Sequence, residues 1–321
     1  MVQRIAKRYE RDGLTIDAML YPPPGELIDL GGRSLHVQKQ GSSGPPVILE
    51  AGIAASSLSW RLIDAEIAKF ATVYSYDRAG FGWSPYSDRP KVARELVEEM
   101  RLVMERAGVP VPRYVVGHSF GGMMMRMYAA MYPDEVAGVV LVDALPPEEW
   151  FPLDLRRTHT LRRAVQLTHR GAWLAQHGVV RFALRSLERG NQIIPKLFRF
   201  LSGAGGIGVT QRLVGKIQKF PTAIQGQIRA HWSRSSSFHT MAEYLSELPA
   251  SCAQAMVCPD LGNTPLIVLS AEQGHSGHQG RQAKLAKLSS QGDFRMIPGT
   301  THWIMLDAPE AVIDAVRDLV V

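Results

Sequence analysis

A chain of 321 residues with 45% hydrophobic and 21% charged residues has the balance of a globular protein, which excludes a disordered chain. Its length allows one large α/β domain or two smaller ones. Arg4, Lys7, Arg8, Glu10, Arg11, Asp12 and Asp17 break up the first twenty residues, so neither a secretory leader nor a spanning helix is expected there, and a cytoplasmic location is. The net charge of +6 is uneven: residues 151–262 hold 15 Lys and Arg against 5 Asp and Glu, which leaves the remainder acidic. A basic middle in a mildly acidic body suggests a separate module. Cys252 and Cys258 have neither the spacing nor the partners of a zinc site and read as ordinary thiols, with no metal or cofactor implied.

In chain order, three prolines (Pro22 to Pro24) form a stiff lead-in to residues 26–40, which read as a β-hairpin turning at Gly31-Gly32. Residues 46–51 are a buried-type strand that runs into the small-residue loop 52–57, and a helix is predicted over 60–70. The strand 72–76 closes on Asp77-Arg78-Ala79-Gly80-Phe81-Gly82-Trp83-Ser84, and 92–107 is a charged amphipathic helix. The strand before residue 119, a helix after it and the strand 136–142 follow. The alternation then stops. Residues 146–258 contain no convincing strand, only helical stretches such as 174–187 and 192–201, and the alternation resumes from residue 265 to the end. Strands separated by helices predict a mostly parallel sheet with helices on both faces. The expected organisation is a core of residues 1–145 and 263–321 with a helical cap over 146–262.

The chain is organised around Gly117-His118-Ser119-Phe120-Gly121. This is G-x-S-x-G between a β-branched run and a helix pattern, the setting of a nucleophile elbow. So sharp a turn forces its central residue into strained dihedrals, and the flanking glycines remove Cβ atoms that would collide. Ser119 would project its hydroxyl above the sheet, with the backbone N–H of Phe120 aimed at whatever Ser119 attacks. A serine needs a base. Of the ten histidines, His302 follows a late strand and a Pro298-Gly299 turn, which brings it to the same sheet edge. His118 lies on the wrong side of the turn and is read as packed locally.

The order of these motifs resembles the α/β-hydrolase superfamily from about residue 26 to the end of the chain. Ala51-Gly52-Ile53 stands where the family has its oxyanion loop, and residues 77–84 are similar to its D-x-R-G-x-G-x-S turn, with the arginine one place early. The resemblance implies a serine esterase or lipase-like hydrolase. Ser119 would be the nucleophile and His302 the base, with the N–H groups of Ile53 and Phe120 binding the oxyanion. The superfamily usually places the orienting acid after the seventh strand, where this chain offers Glu272 and no aspartate. Asp143, which ends the sixth strand, is the first choice and Glu272 the second; both keep the order serine, acid, histidine. A serine at the elbow disfavours the epoxide hydrolase and haloalkane dehalogenase branches, which carry aspartate there.

The expected activity is hydrolysis of a small to medium, largely apolar carboxylic ester. Trp150, Phe151, Trp173, Phe182, Phe198, Phe200 and Phe220 are pocket-lining candidates. The alternatives are a carbon–carbon bond hydrolase or cofactor-free perhydrolase using the same triad, and a ligand-binding or signalling protein with little turnover. Several weaker signals are discounted. Gly203 to Gly208 matches G-x-G-x-x-G but follows no strand, and His275 with His278 lacks a third metal ligand. Arg181, Arg185 and Arg189 read as a solvated helix face, with an anionic substrate group or an acidic membrane surface as minor alternatives. Nucleic acid is not indicated.

Overall fold

The computed structural model describes residues 2–188, 217–274 and 276–321. The expected helix 192–201 (with Phe198 and Phe200), the glycine stretch 203–208, Arg189 and His275 lie outside them. Eight strands form one sheet: β1 (Glu26–Asp29), β2 (Ser34–Gln40), β3 (Pro46–Glu50), β4 (Thr72–Tyr76), β5 (Arg113–His118), β6 (Val136–Val142), β7 (Leu266–Ala271) and β8 (Gly292–Ile297). Their spatial order is β1-β2-β4-β3-β5-β6-β7-β8. β2 pairs antiparallel with both β1 and β4, and every other pairing is parallel.

The helices are α1 (Val2–Leu20), α2 (Asp64–Ile67), α3 (Ala93–Arg106), α4 (Phe120–Met131), α5 (Leu155–Gln176), α6 (Val179–Glu188), α7 (Thr222–Trp232), α8 (Ser235–Ser246), α9 (Leu248–Met256), α10 (His278–Ala286), α11 (Ile304–Asp307) and α12 (Pro309–Val320).

The central strands are continuous apolar runs because both faces are covered. Val47, Ile48, Leu49, Val115, Val116, Val139 to Val142 and Leu266 to Leu269 are all buried. Each such side chain contributes about 1.5–3 kcal/mol relative to exposure. Parallel strands also deliver their C-terminal ends to one edge, where open α/β sheets bind ligands. The residues just past β3, β5, β6, β7 and β8 therefore emerge there together.

The chain divides into two compact units, Pro24–Arg157 with Glu247–Val321, and Met1–Pro23 with Thr158–Ser246. These bounds differ from the expected core and cap at three places. Residues 146–157 and α9 belong to the sheet unit, because their polar groups bind it. Ser251 Oγ and Gln254 Oε1 accept the first N–H groups of α3, from Ala93 at 3.0 Å and Arg94 at 2.9 Å, and so cap that helix from outside. Glu149 accepts from Arg281 at 2.9 Å.

Conversely, residues 2–20, for which the sequence predicted no element, form α1 and join the helical unit. Arg181 is the reason. The solvated arginine face expected for it is not what forms: Arg181 is fully buried, donating to Glu10 at 2.8 and 2.9 Å and also to Asp17. Gly13 leaves room for it, since a Cβ there would meet Arg181 Nε at 2.6 Å.

Two further elements depart from expectation. The helix predicted over 174–187 is divided between α5 and α6 at Gly178, whose φ of 70° ends the first of them. The helix predicted over 60–70 is a 3-10 turn, Ser57–Trp60, and the single turn α2. There Asp64 engages its neighbours Arg61 and Ala65 and also Gln40, local bonds that compete with a continuous helix. Of the aromatic residues expected to line a pocket, Trp173 and Phe182 are exposed and Phe220 is buried.

Candidate active site

β5 and β6 pair with His118 opposite Val142, so Ser119 and Asp143 leave adjacent parallel strands side by side. Backbone bonds lock this exit: Ser119 N–H donates to Val142 O at 3.1 Å, and Leu145 N–H donates to Ser119 O at 2.9 Å. Ser119 has φ 55° and ψ −122°, and Asp143 has φ 43°. With Ala54, they are the three non-glycine residues of positive φ among those described. Such strain persists where the surroundings enforce it, and it clusters at functional sites. The glycines of the elbow are sterically required. A Cβ on Gly117 would lie 2.5 Å from Gly121 O, and one on Gly121 would lie 2.5 Å from Glu50 O.

His302 Nδ1 donates to Asp143 Oδ2 at 2.6 Å. That bond fixes the tautomer and leaves the Nε2 lone pair free to accept a proton. The imidazole is half-exposed, whereas Asp143 is buried. Burial pushes the Asp143 carboxyl up, but hydrogen bonds from His278 and His302 outweigh it and hold the group well below the usual carboxylate range. No hydrogen bond within 3.5 Å joins Ser119 Oγ to His302 Nε2 among the described residues. In unliganded enzymes such bonds are often open and tighten around substrate.

The loop carrying His302 is held from several sides. Thr301 binds Asp307 Oδ2 through its N–H at 2.9 Å and its hydroxyl at 2.6 Å. Glu272 Oε2 accepts Gly299 N–H at 2.8 Å. Of the two acids weighed from the sequence, Asp143 thus touches His302, and Glu272 anchors the loop. His118, expected to be packed, is buried and donates from Nε2 to His302 O at 2.8 Å, with the two rings 4.6 Å apart. Burial, then the nearby His302, pushes the His118 imidazole down to about 3, which keeps it neutral.

Gly52 packs on this pair; a Cβ there would lie 3.1 Å from His118 Nδ1 and 3.2 Å from Ser119 Cβ. Arg78, buried, donates to Gly52 O. Because a trans peptide sets C=O and N–H on opposite sides, this bond turns the Ile53 N–H away from Arg78. The Arg78 guanidinium also lies 5.5 Å from the centre of the Phe120 ring. Phe120 opens α4, where the helix N-terminus favours negative charge. Arg78 in turn faces Glu50 at 3.4 Å; burial pushes that carboxyl up to about 7 despite the arginine. Asp77 fastens the same turn, accepting Ser57 N–H at 2.7 Å, Trp83 N–H at 3.0 Å and His36 Nδ1 at 2.8 Å.

The sequence reading missed His278. Set aside there as half of a weak metal pair, it donates from Nε2 to the other oxygen of Asp143 at 2.7 Å. The available signal was Gly277, whose φ of 74° lets α10 start at His278. Among the described residues there is no group of three His, Cys, Asp or Glu side chains that could hold a metal, and no helix long and apolar enough to cross a membrane.

The chain is 30% identical over 145 residues to YqjL of Bacillus subtilis (strain 168), a protein described as uncharacterized, covering 44% of this chain and 57% of that one. It is 34% identical over 110 residues to the lipase LipV of Mycobacterium tuberculosis, covering 34% and 41%. It thus spans about half the length of these curated relatives. Among solved structures, the epoxide hydrolase CorEH superposes with a TM-score of 0.66 at 18% identity, covering 92% of this chain and 96% of that one. A thermophilic esterase from Thermogutta terrifontis superposes with a TM-score of 0.58 at 19% identity, covering 91% and 96%. A family model for the alpha/beta hydrolase fold matches residues 45–309, and the chain belongs to that family.

Proposed function

We propose that the protein is a serine hydrolase of carboxylic esters, acting through Ser119, His302 and Asp143. The observation that carries this reading is the 2.6 Å bond from His302 Nδ1 to Asp143, one residue past a strand whose neighbour presents Ser119 at a strained elbow. Ser119 Oγ attacks the acyl carbon while His302 Nε2 takes its proton, and Asp143 stabilises the resulting imidazolium. The tetrahedral oxyanion accepts hydrogen bonds from the N–H groups of Ile53 and Phe120. His302 returns the proton to the departing alkoxide, leaving an acyl ester on Ser119. Water, deprotonated by His302, releases the acid and regenerates the serine.

The nucleophile also argues about substrate. A serine that opened an epoxide would be left as an alkyl ether, which this machinery has no way to hydrolyse, whereas an acyl-serine is itself an ester. The likenesses to an epoxide hydrolase and to an esterase among solved structures therefore concern the fold, and the lipase relative lies nearer the proposed chemistry.

The test is turnover of a chain-length series of p-nitrophenyl esters by the wild-type protein and by Ser119→Ala. The expected result is turnover whose kcat drops by more than about 10³-fold in the variant, with the chain-length optimum sizing the acyl site. No ester turnover by folded wild-type protein would turn the reading toward carbon–carbon bond hydrolysis or ligand binding.

A further inference from the structure

Asp143 holds more donors than the orientation of one histidine requires. Oδ2 accepts His302, while Oδ1 accepts both Ala271 N–H at 2.9 Å and His278 Nε2 at 2.7 Å. One buried carboxylate is therefore clamped between two imidazoles.

α10 is built to deliver the second of them. His278, Arg281 and Gln282 stand at i, i+3 and i+4 on one helix face. All three bind the segment that follows β6: His278 at Asp143, Gln282 at Ala144 O at 2.6 Å, and Arg281 at Glu149 at 2.9 Å. The loop before the helix closes over the ring. A Cβ on Gly274 would fall 2.5 Å from His278 Cγ and 2.7 Å from its Cβ, so this glycine lets the loop lie flat on the imidazole.

We propose that His278 is a positioning residue, which holds the Asp143 carboxylate so that Oδ2 stays aimed at His302. This inference rests on the serine hydrolase reading. The charged groups around His278 are Asp143 and Glu149 from the segment after β6 and Arg281 on its own helix, with His302 across the shared carboxylate. The hydrogen bond to Asp143 raises the proton affinity of His278 above that of an ordinary histidine. Once protonated, His278 offsets part of the Asp143 charge that favours imidazolium at His302.

The test compares His278→Phe and His278→Gln in the full chain. Two readouts are used: ester kinetics between about pH 5 and 9, and the downfield proton resonance of His302 Nδ1–H, assigned by its loss in His302→Ala. His278→Phe is expected to lower kcat roughly 10-fold with KM little changed, and to weaken or broaden the resonance. His278→Gln keeps a donor but cannot take up a proton. It should recover most of kcat and restore the resonance, yet move the acidic limb of kcat/KM to higher pH, because no positive charge then opposes protonation of His302.

A folded His278→Phe with wild-type kcat and an unchanged resonance overturns the inference. If that variant does not fold, an unmoved acidic limb in His278→Gln overturns it. The resonance separates the two readings: should the wild type show it, and His278→Phe lose it, while no ester is turned over, the hydrolase reading fails and the positioning of Asp143 stands.

Discussion

Oδ2 of Asp143 stands 2.6 Å from Nδ1 of His302, while the carboxylate of Glu272 accepts the backbone N–H of Gly299 at 2.8 Å. The two acids left open by the sequence therefore predict different mutants. Asp143→Asn keeps the shape but makes an amide compete for the tautomer of His302, and should lower kcat by about 10⁴. Glu272→Gln keeps an acceptor for Gly299 and should stay within a few-fold of wild type. Steady-state kinetics on one p-nitrophenyl ester checks both. A large loss in Glu272→Gln beside a near-silent Asp143→Asn would reverse the assignment.

Gly52 offers a test of the oxyanion loop that leaves every reacting side chain in place. A Cβ there would sit 3.1 Å from His118 Nδ1 and 3.2 Å from Ser119 Cβ, so Gly52→Ala must push the loop from the elbow or tilt the serine. Under the proposed mechanism either shift moves the Ile53 N–H from the site of developing charge, and the loss of one such donor costs on the order of 10²–10³ in rate. The expected outcome is a fall in kcat of that order with KM and melting temperature nearly unchanged. A wild-type kcat would mean that Ile53 is not a donor to the oxyanion.

What the sequence made legible follows from how local each signal was. The elbow could be read because strand, glycines and helix are consecutive in the chain, from Arg113 to Met131, each with its own steric or periodic cause. The parallel core could be read because its strands are unbroken apolar runs, as in Val139 to Val142. Asp143 and Glu272 could not be separated from spacing alone, since the choice depends on where a loop 159 residues later returns. His278 and Arg181 were missed for the same reason. His278 is polar in a polar stretch and Arg181 is a lone charge among apolar neighbours, and the placement of each depends on a partner 135 or 171 residues distant. Periodicity reports a helix face, and it does not report a carboxylate waiting opposite.

His118 predicts how stability responds to acid. Burial, then His302, holds its folded pKa at about 3, against about 6.5 in an unfolded chain. Below pH 6.5 the unfolded state binds the extra proton, so stability falls as pH drops from 6.5 toward 3. Asp143 acts in the same direction, but only below the ordinary aspartate range, about pH 4. His278, with its raised proton affinity, acts in the opposite direction, since its bond to Asp143 is worth most when it is charged. Urea midpoints at pH 6.5 and 4.5 for wild type and His118→Gln cancel the His278 contribution. The wild-type midpoint should drop further than that of the variant, and equal drops would mean that His118 takes up a proton without unfolding.

Arg181 predicts a large effect on stability and none on chemistry. Its guanidinium is fully buried between Glu10 and Asp17, which are themselves buried, so α1 meets α6 through buried charges. Removing the cation alone strands two carboxylates, and breaking a buried pair in this way costs about 3–5 kcal/mol. Arg181→Met should therefore lower the melting temperature or release α1 to proteolysis. Desolvation argues that the ion triad itself gains little over an apolar replacement. Adding Glu10→Gln and Asp17→Leu to Arg181→Met should then restore most of the loss. Limited proteolysis with mass mapping of residues 2–20 reads the docking of α1 directly. An Arg181→Met protein as resistant and as stable as wild type would show that α1 is held by something other than this triad.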